Sequence, residues 1–158
     1  NSGDGYIQGA EVSEMYSFTP QWSMRMTATW QDGKVDSYLS STSAEKQRDY
    51  ISRLMPTTGE LALRWQDGEK AKYWCELAGR AAEKADKLSV EDKLDTQRIP
   101  PDGTPGYAVF HIRAGARVMD GLAFNVSVEN VFDEDYRIHG SGVNEAGRNL
   151  IITASCDF

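Results

Sequence analysis

The stretch from Gly121 to Phe158 constrains the fold of this 158-residue chain more than any other. Leu122, Phe124, Val126 and Val128 alternate with Ala123, Asn125, Ser127 and Glu129, which are small or polar. A repeat of two puts every apolar side chain on one face of a strand. A polar, glycine-rich stretch follows over 133–147, and then the alternation resumes. Leu150, Ile152, Ala154, Cys156 and Phe158 share one face; Asn149, Ile151, Thr153, Ser155 and Asp157 share the other. The chain stops on the aromatic residue.

The same alternation recurs upstream and gives seven strands in all. The first covers about 7–18, with Ala10, Val12, Tyr16 and Phe18 on one face and Glu14 as a defect among them. In the second, Trp22, Met24, Met26, Ala28 and Trp30 alternate with Ser23, Arg25, Thr27, Thr29 and Gln31. The third sets Leu61, Leu63 and Trp65 against Glu60, Ala62, Arg64 and Gln66. The fourth, about 72–82, alternates too, but residues 76–94 are rich in Ala, Glu, Lys and Leu, so local propensity also admits a helix. The fifth sets Ala108, Phe110, Ile112, Ala114, Ala116 and Val118 against Val109, His111, Arg113, Gly115 and Arg117. Short turns at Thr19-Pro20-Gln21, Asp67-Gly68 and Asp120-Gly121 alternate with long polar loops over 32–55, 89–106 and 133–147. Up-and-down outer-membrane barrels have this asymmetry, with short periplasmic turns and long extracellular loops. The fold class is therefore all-β: an antiparallel up-and-down transmembrane β-barrel segment. Arg25, Arg64, Arg113 and Arg117 should face water, opposite Met26, Leu63, Ile112 and Val118. Phe18, Trp22, Trp65, Tyr73 and Phe158 fall at the short-turn end and Trp30, Tyr107 and Tyr136 at the other, as aromatic girdles would.

Composition removes other classes. A net charge of −7 argues against a nucleic-acid partner, which needs a basic patch. No run of 18 apolar residues is long enough for a transmembrane helix, but a barrel strand needs only about 9–11 residues with alternate ones facing lipid. Cys75 and Cys156 have no metal-ligand spacing; one disulfide is permitted but not implied. Residue 1 begins in mid-pattern with no leader segment, which reads as a processed or partial polypeptide. An odd number of strands leaves two open edges, and an open edge in hydrocarbon costs several kcal/mol per unpaired group. These strands therefore read as the last part of a larger barrel.

Particular words in the chain add a family resemblance. Asn130-Val-Phe-Asp-Glu-Asp-Tyr136, Arg137-Ile-His-Gly-Ser-Gly-Val143, Gly147-Arg-Asn149 and the terminal Phe158 resemble the last hairpin of TonB-dependent outer-membrane receptors. Arg98-Ile-Pro-Pro-Asp-Gly-Thr-Pro-Gly-Tyr107 resembles an extracellular loop two strands earlier, and Gly5-Tyr-Ile-Gln-Gly-Ala-Glu11 the start of a mid-barrel strand. The resemblance implies that residues 1–158 are the C-terminal part of a barrel of roughly 22 strands, with the plug domain outside this chain. It implies energy-coupled uptake of a scarce solute of the siderophore, cobalamin or saccharide class across the bacterial outer membrane. The partners would be outer-membrane lipid, a small-molecule or metal-chelate solute, and a TonB-type energy-coupling complex reached through the missing N-terminal part. Arg98, Tyr107, Tyr136, Arg137 and His139 would supply solute contacts from the loops, and Phe158 an assembly signal. No cofactor and no enzymatic activity are implied. A soluble β-barrel that binds a small ligand inside is the alternative; it would turn the apolar face inward.

Other chemistry finds no support. Asp133, Glu134 and Asp135 begin like a calcium loop, but Arg137 and Ile138 stand where a ligand and a glycine are needed. Gly140-Ser-Gly142 lacks the third glycine of a dinucleotide fingerprint, since Glu145 stands there, and lies between strands. His111 and His139 sit on different elements, so a metal site is not expected; His111 should face a polar interior. Asn125-Val-Ser127 matches a glycosylation acceptor but lies inside a strand. No Gly-x-Ser-x-Gly is present.

Overall fold

Side-chain alternation can bury or expose a whole face only if every strand keeps its register against the next. The computed structural model, which describes residues 3–38, 45–68 and 70–157, is built around such a register. Phe158 lies outside the described residues. The strands are β1 (Gly5–Ser17), β2 (Trp22–Tyr38), β3 (Lys46–Tyr50), β4 (Thr58–Gln66), β5 (Tyr73–Ala82), β6 (Tyr107–Met119), β7 (Leu122–Glu129) and β8 (Asn149–Cys156). They form one antiparallel sheet in the order β1-β2-β4-β5-β6-β7-β8, with β3 paired to the far end of β2.

One row of paired residues crosses the whole sheet: Tyr16, Met24, Leu63, Leu77, Ile112, Val128 and Leu150, every one apolar or aromatic. The adjacent row, on the other face, is Ser17, Ser23, Arg64, Glu76, Arg113, Ser127 and Ile151, polar but for its last member. Arg25, Arg64, Arg113 and Arg117 share the polar face and Met26, Leu63 and Ile112 the apolar one, as the pleat requires. Val118 sits where the register shifts between Arg117 and Met119.

The two faces are crowded differently. On the polar face Ala62, Ala78 and Val109 are buried. On the apolar face Leu61, Leu63, Leu77, Phe110, Ile112, Val126, Leu150 and Ile152 are all exposed. A monomer in water does not leave a continuous band of this kind bare. The crowded polar face is here termed inner and the apolar face outer. The aromatic pair Tyr16–Phe18 and the rings of Trp22, Trp65 and Tyr73 edge the outer face at the short-turn end. Trp30, and Phe132 packed edge-on against Phe110, edge it at the other end. Tyr107 and Tyr136 do not belong to that girdle. Tyr107 pairs with Ala82 in the inner register, and its ring lies 4.5 Å from that of Tyr136.

One stretch read as a loop is corrected, and the strand count with it. Residues 32–55 are not one loop: β2 continues to Tyr38 and the chain returns as β3, so the described sheet has eight strands and not seven. Lys34, Asp36 and Tyr38 alternate with Gly33, Val35 and Ser37, so neither face of that hairpin carries an apolar row that the sequence could signal. Residues 73–82 are strand, so tertiary pairing on both sides overrides helix propensity. The helix former run is used one step later, in the short helix α1 (Val90–Leu94). Ser89 and Asp92 close its N-terminus as a capping box, each side chain bonding the other's backbone N–H.

The connections obey local chemistry. Thr19 Oγ1 accepts the N–H groups of Gln21 and Trp22 in the β1–β2 turn. Gly121, at φ +80°, makes the β6–β7 turn in a conformation that favours glycine. β1 pairs only with β2 and β8 only with β7, so each end of the strand order is an unpaired edge among the described residues, and both strands are exposed along their length.

Gly115 has a packing role. It stands opposite Trp74, and a Cβ there would overlap the indole ring and the Asn125 side chain. Gly115→Ala should destabilise the sheet by about 1–3 kcal/mol through overpacking. A Trp74→Ala background should remove most of that penalty. Thermal unfolding of the four proteins in a double-mutant cycle checks the coupling.

Candidate functional site

The inner face carries a connected set of charges. Arg113 donates from Nε and Nη2 to the two oxygens of Glu129, at 3.0 and 3.1 Å, and from Nη1 to Glu76 at 3.0 Å. Ser127 donates to the same Glu129 carboxylate, and His111 Nδ1 lies against it, forming a charged pair when protonated. Nearer β1, Arg25 pairs with Glu60 at 3.2 Å, and the Arg64 guanidinium stacks 4.1 Å above the Trp74 ring. These pairs run across neighbouring strands, β2–β4, β5–β6 and β6–β7, so the charges neutralise one another along the wall. His111 thus faces the polar interior that its register position demands.

Above this wall lies a mouth formed by loop residues. Tyr107 tops β6 and packs its ring, tilted by 44°, against that of Tyr136 from the β7–β8 loop. Burial holds the Tyr136 hydroxyl above its ordinary pKa, with Glu145 and Tyr107 adding to it. Arg80, Thr58, Arg137 and His139 line a small cavity beside Tyr107, about 10 Å³, room for a single water. Arg137 donates to Asn144 Oδ1 at 3.0 Å, and Asn144 in turn donates to Asp135 at 2.6 Å.

The loops that carry these groups are fastened to one another. Asp92, 1% exposed, accepts from Ser52 Oγ, the Arg53 N–H and the Ser89 N–H. Arg53 meets it with a backbone φ of 58°, a conformation a non-glycine residue holds only when its surroundings fix it. Burial pushes the Asp92 carboxyl up, but the Ser89, Ser52 and Arg53 donors outweigh it and leave the group below its ordinary value. Leu54, Ala85, Leu88 and Ile99 are buried beside it as a small apolar core. Ala85 and Thr104 exchange both backbone hydrogen bonds. Asn130, itself buried, holds the base of the β7–β8 loop, donating to the Glu134 and Ala146 carbonyls and accepting from the Glu134 N–H.

Of the five solute-contact residues expected from sequence, Tyr107, Tyr136 and Arg137 come together at the mouth. His139 does not contact solvent as an exposed loop residue would. It is 7% exposed, and its Nδ1 bonds Thr104 Oγ1 at 2.9 Å, so it pins the β7–β8 loop to the β5–β6 loop. Arg98 lies outside the cavity and shares Asp95 with Arg53. Arg80 was missed, although its place in the β5 alternation put it on the inner face. Asp92 was missed as well; Ser89-x-x-Asp92 was the legible signal. Among the described residues no cluster of His, Cys, Asp and Glu could hold a metal ion, and Cys75 and Cys156 are exposed free thiols. Among the described residues no helix is long and apolar enough to cross a membrane, which says nothing of strands.

No family model and no curated protein sequence matches the chain. Solved structures do. The copper transporter OprC is 19% identical over 99% of this chain, with a TM-score of 0.77. The FrpB iron transporter of Neisseria meningitidis is 18% identical over 100%, at 0.73, and the ferric-catecholate import receptor Fiu of E. coli K12 is 21% identical over 98%, at 0.67. The chain spans 24%, 24% and 21% of these three proteins, about a quarter of their length or less. They are outer-membrane β-barrel receptors, and the chain has the fold of a section of their barrel wall.

The loop cluster should be acid-sensitive. Burial depresses the His139 pKa below 6.5, with Arg53 acting the same way and Asp92 opposing. The neutral imidazole is therefore the one that fits, and its contribution is present above pH 6.5 and lost as the pH falls towards its lowered value. Proteolysis of the 83–106 loop should accelerate below pH 6.5, and His139→Gln should flatten that dependence. Asp92→Asn should loosen the same loop near neutral pH by about 1–3 kcal/mol, by weakening buried bonds, and the difference should shrink in acid, where the wild-type carboxylate, held below its ordinary value, is itself protonated.

Proposed function

We propose that this chain forms the C-terminal part of the wall and outer loops of an outer-membrane receptor for energy-coupled solute uptake. The observation that carries the reading is the uninterrupted apolar row on the outer face, set beside a charged, cross-paired row on the inner face. Lipid suits the first face and a water-filled or protein-filled interior the second. The soluble-barrel alternative needs the apolar face to be the crowded one, and the burial runs the other way.

The neighbours are named as copper and iron transporters and a ferric-catecholate receptor. A metal or metal-chelate solute is therefore the class we assign to this chain. Tyr107, Tyr136, Arg137 and Arg80 at the mouth would meet it, and the buried His139 would hold their loops. Nothing in the arrangement resembles a catalytic constellation, and no cofactor enters the reading. The plug and the remaining strands would come from the rest of the polypeptide, and through that part a TonB-type complex would supply energy. Phe158 would act in assembly.

Placing Arg on the outer face at Leu77 should cost about 2–4 kcal/mol in a bilayer, while Thr153→Arg on the inner face should cost little. Refolding of the full polypeptide into lipid vesicles measures both. Equal costs would reject the assignment of faces. Fractionation of cells producing the full polypeptide should place it in the outer membrane, and Tyr107→Ala with Tyr136→Ala should lower uptake of a radiolabelled metal chelate without lowering the folded amount. Recovery in the soluble fraction would overturn the function. Deleting Phe158 should do the reverse of the tyrosine changes, reducing folded barrel while leaving the affinity of the assembled molecules unchanged.

A further inference from the structure

One residue interrupts the outer face. Glu14 pairs with Met26, and the row it begins continues as Leu61, Gly79 and Phe110, none of them polar. Between the girdles, the outer rows of the described strands carry no other Asp, Glu, Lys, Arg or His. Met26 lies midway between Trp22 and Trp30 on β2. Glu14 therefore stands about 13 Å along the strand from either girdle, or about 10 Å in height at a tilt near 40°. That is the middle of the apolar band.

Nothing in the described sheet answers this carboxylate. Glu14 is exposed, and its side chain has no hydrogen bond and no ion pair among the described residues. Val12 and Tyr16 flank it along β1, Met24 and Ala28 lie diagonally across β2, and the Tyr16 ring packs on Phe18. Arg25, next to Met26 in sequence, pairs with Met15 on the inner face and meets Glu60 there. The remaining approach is the free edge of β1. The other free edge, β8, does not answer it either, because its outer residues Leu150, Ile152, Ala154 and Cys156 offer no cation.

A carboxylate at membrane depth is costly, and where one persists it pairs with a cation or a donor. On the membrane reading β1 must also be flanked, because lipid does not tolerate its open N–H and C=O groups. A flanking strand brings one outward side chain to about 5 Å from Glu14, Cβ to Cβ, and two more diagonally at about 7–8 Å. A lysine or arginine at one of these places neutralises Glu14 within the wall. A slip of one residue would turn that cation to the inner face and leave Glu14 bare.

We propose that Glu14 is the docking point for the strand that takes the free edge of β1, an antiparallel segment with an outward-facing lysine or arginine opposite or diagonal to it, and that this ion pair sets the register of the strand. The proposal rests on the membrane reading above. Charge complementarity and the unpaired edge argue for this occupant over a second copy of the chain, whose own free edge at β8 carries no outward cation.

The test uses the full polypeptide. In a Cys75→Ser, Cys156→Ser background, Glu14→Cys is combined with single cysteines at successive outward positions of the strand beside β1, and disulfide yield finds the position that faces residue 14. A lysine or arginine should stand naturally at that position or two residues to either side. Uncharged residues at all three places overturn the proposal. Glu14→Lys alone, and that cation changed to Glu alone, should each lower the folded fraction in lipid vesicles about tenfold or more, read by heat-modified mobility on gels. The two changes together should restore it to within about threefold of wild type. Full folding of either single variant, or no recovery in the double variant, overturns the register lock. Membrane flotation of the wild-type protein is scored separately. A protein that fails to float defeats the membrane reading itself, and one that floats while the exchange fails defeats only this inference.

Discussion

Everything in this molecule depends on antiparallel register, kept across seven strands along the rows that Tyr16 and Ser17 begin. A shift of one residue at any pair would carry Leu63, Leu77 or Ile112 to the charged face and bring Arg64, Glu76 or Arg113 to the apolar one. The charges themselves help to forbid the shift. Arg113 reaches Glu76 on one side and Glu129 on the other, so β5, β6 and β7 are tied at one level. Trp74 lying over Gly115 locks β5 to β6 sterically at the level below. Two independent devices, one electrostatic and one steric, thus fix the pairing that the hydrophobic pattern alone would leave free to slide by two residues.

The loops have a different logic. Loops rich in polar groups ordinarily lie on the surface and move. Here three of them converge on a buried carboxylate and a buried imidazole. Asp92, in the β5–β6 loop, gathers donors from its own loop and from the segment before β4, and His139 joins the β7–β8 loop to the β5–β6 loop through Thr104. The groups at the mouth are therefore presented from a fixed platform. Were these groups to meet a solute as proposed, the arrangement would lower the ordering cost of binding, because Tyr107 and Tyr136 are already packed together and Arg137 is already held by Asn144.

What the sequence made legible follows the same division. Period-two alternation located β1, β2, β4, β6, β7 and β8 and sorted Arg25, Arg64 and Arg113 onto the inner face, because one face of each strand had to be apolar. The signal vanished beyond Trp30, where β2 and β3 pair without an apolar face. It was ambiguous at Tyr73–Ala82, where small residues on the outer face blur the contrast and local helix propensity competes. Loop chemistry was the least legible. The packing of Tyr107 on Tyr136 and the burial of His139 under Thr104 are contacts between residues 29 and 35 positions apart. No local pattern encodes a contact of that separation, and a histidine in a polar loop looks the same whether it meets solvent or closes a core.

The unpaired edges complete the argument. β1 offers 13 residues and β8 offers 8 with backbone groups that no described strand accepts. In water such edges invite association. In hydrocarbon each unpaired group costs several kcal/mol, so a sheet with this outer face is stable there only when strands flank it on both sides. The apolar row and the open edges therefore make a joint demand. On the membrane reading proposed above, the face would meet lipid, lipid would forbid the edges, and closure into a larger barrel would satisfy both. Such closure would also turn the charged inner row towards an enclosed interior, where the effective dielectric is lower than in bulk water and cross-strand pairs such as Arg113–Glu129 count for more.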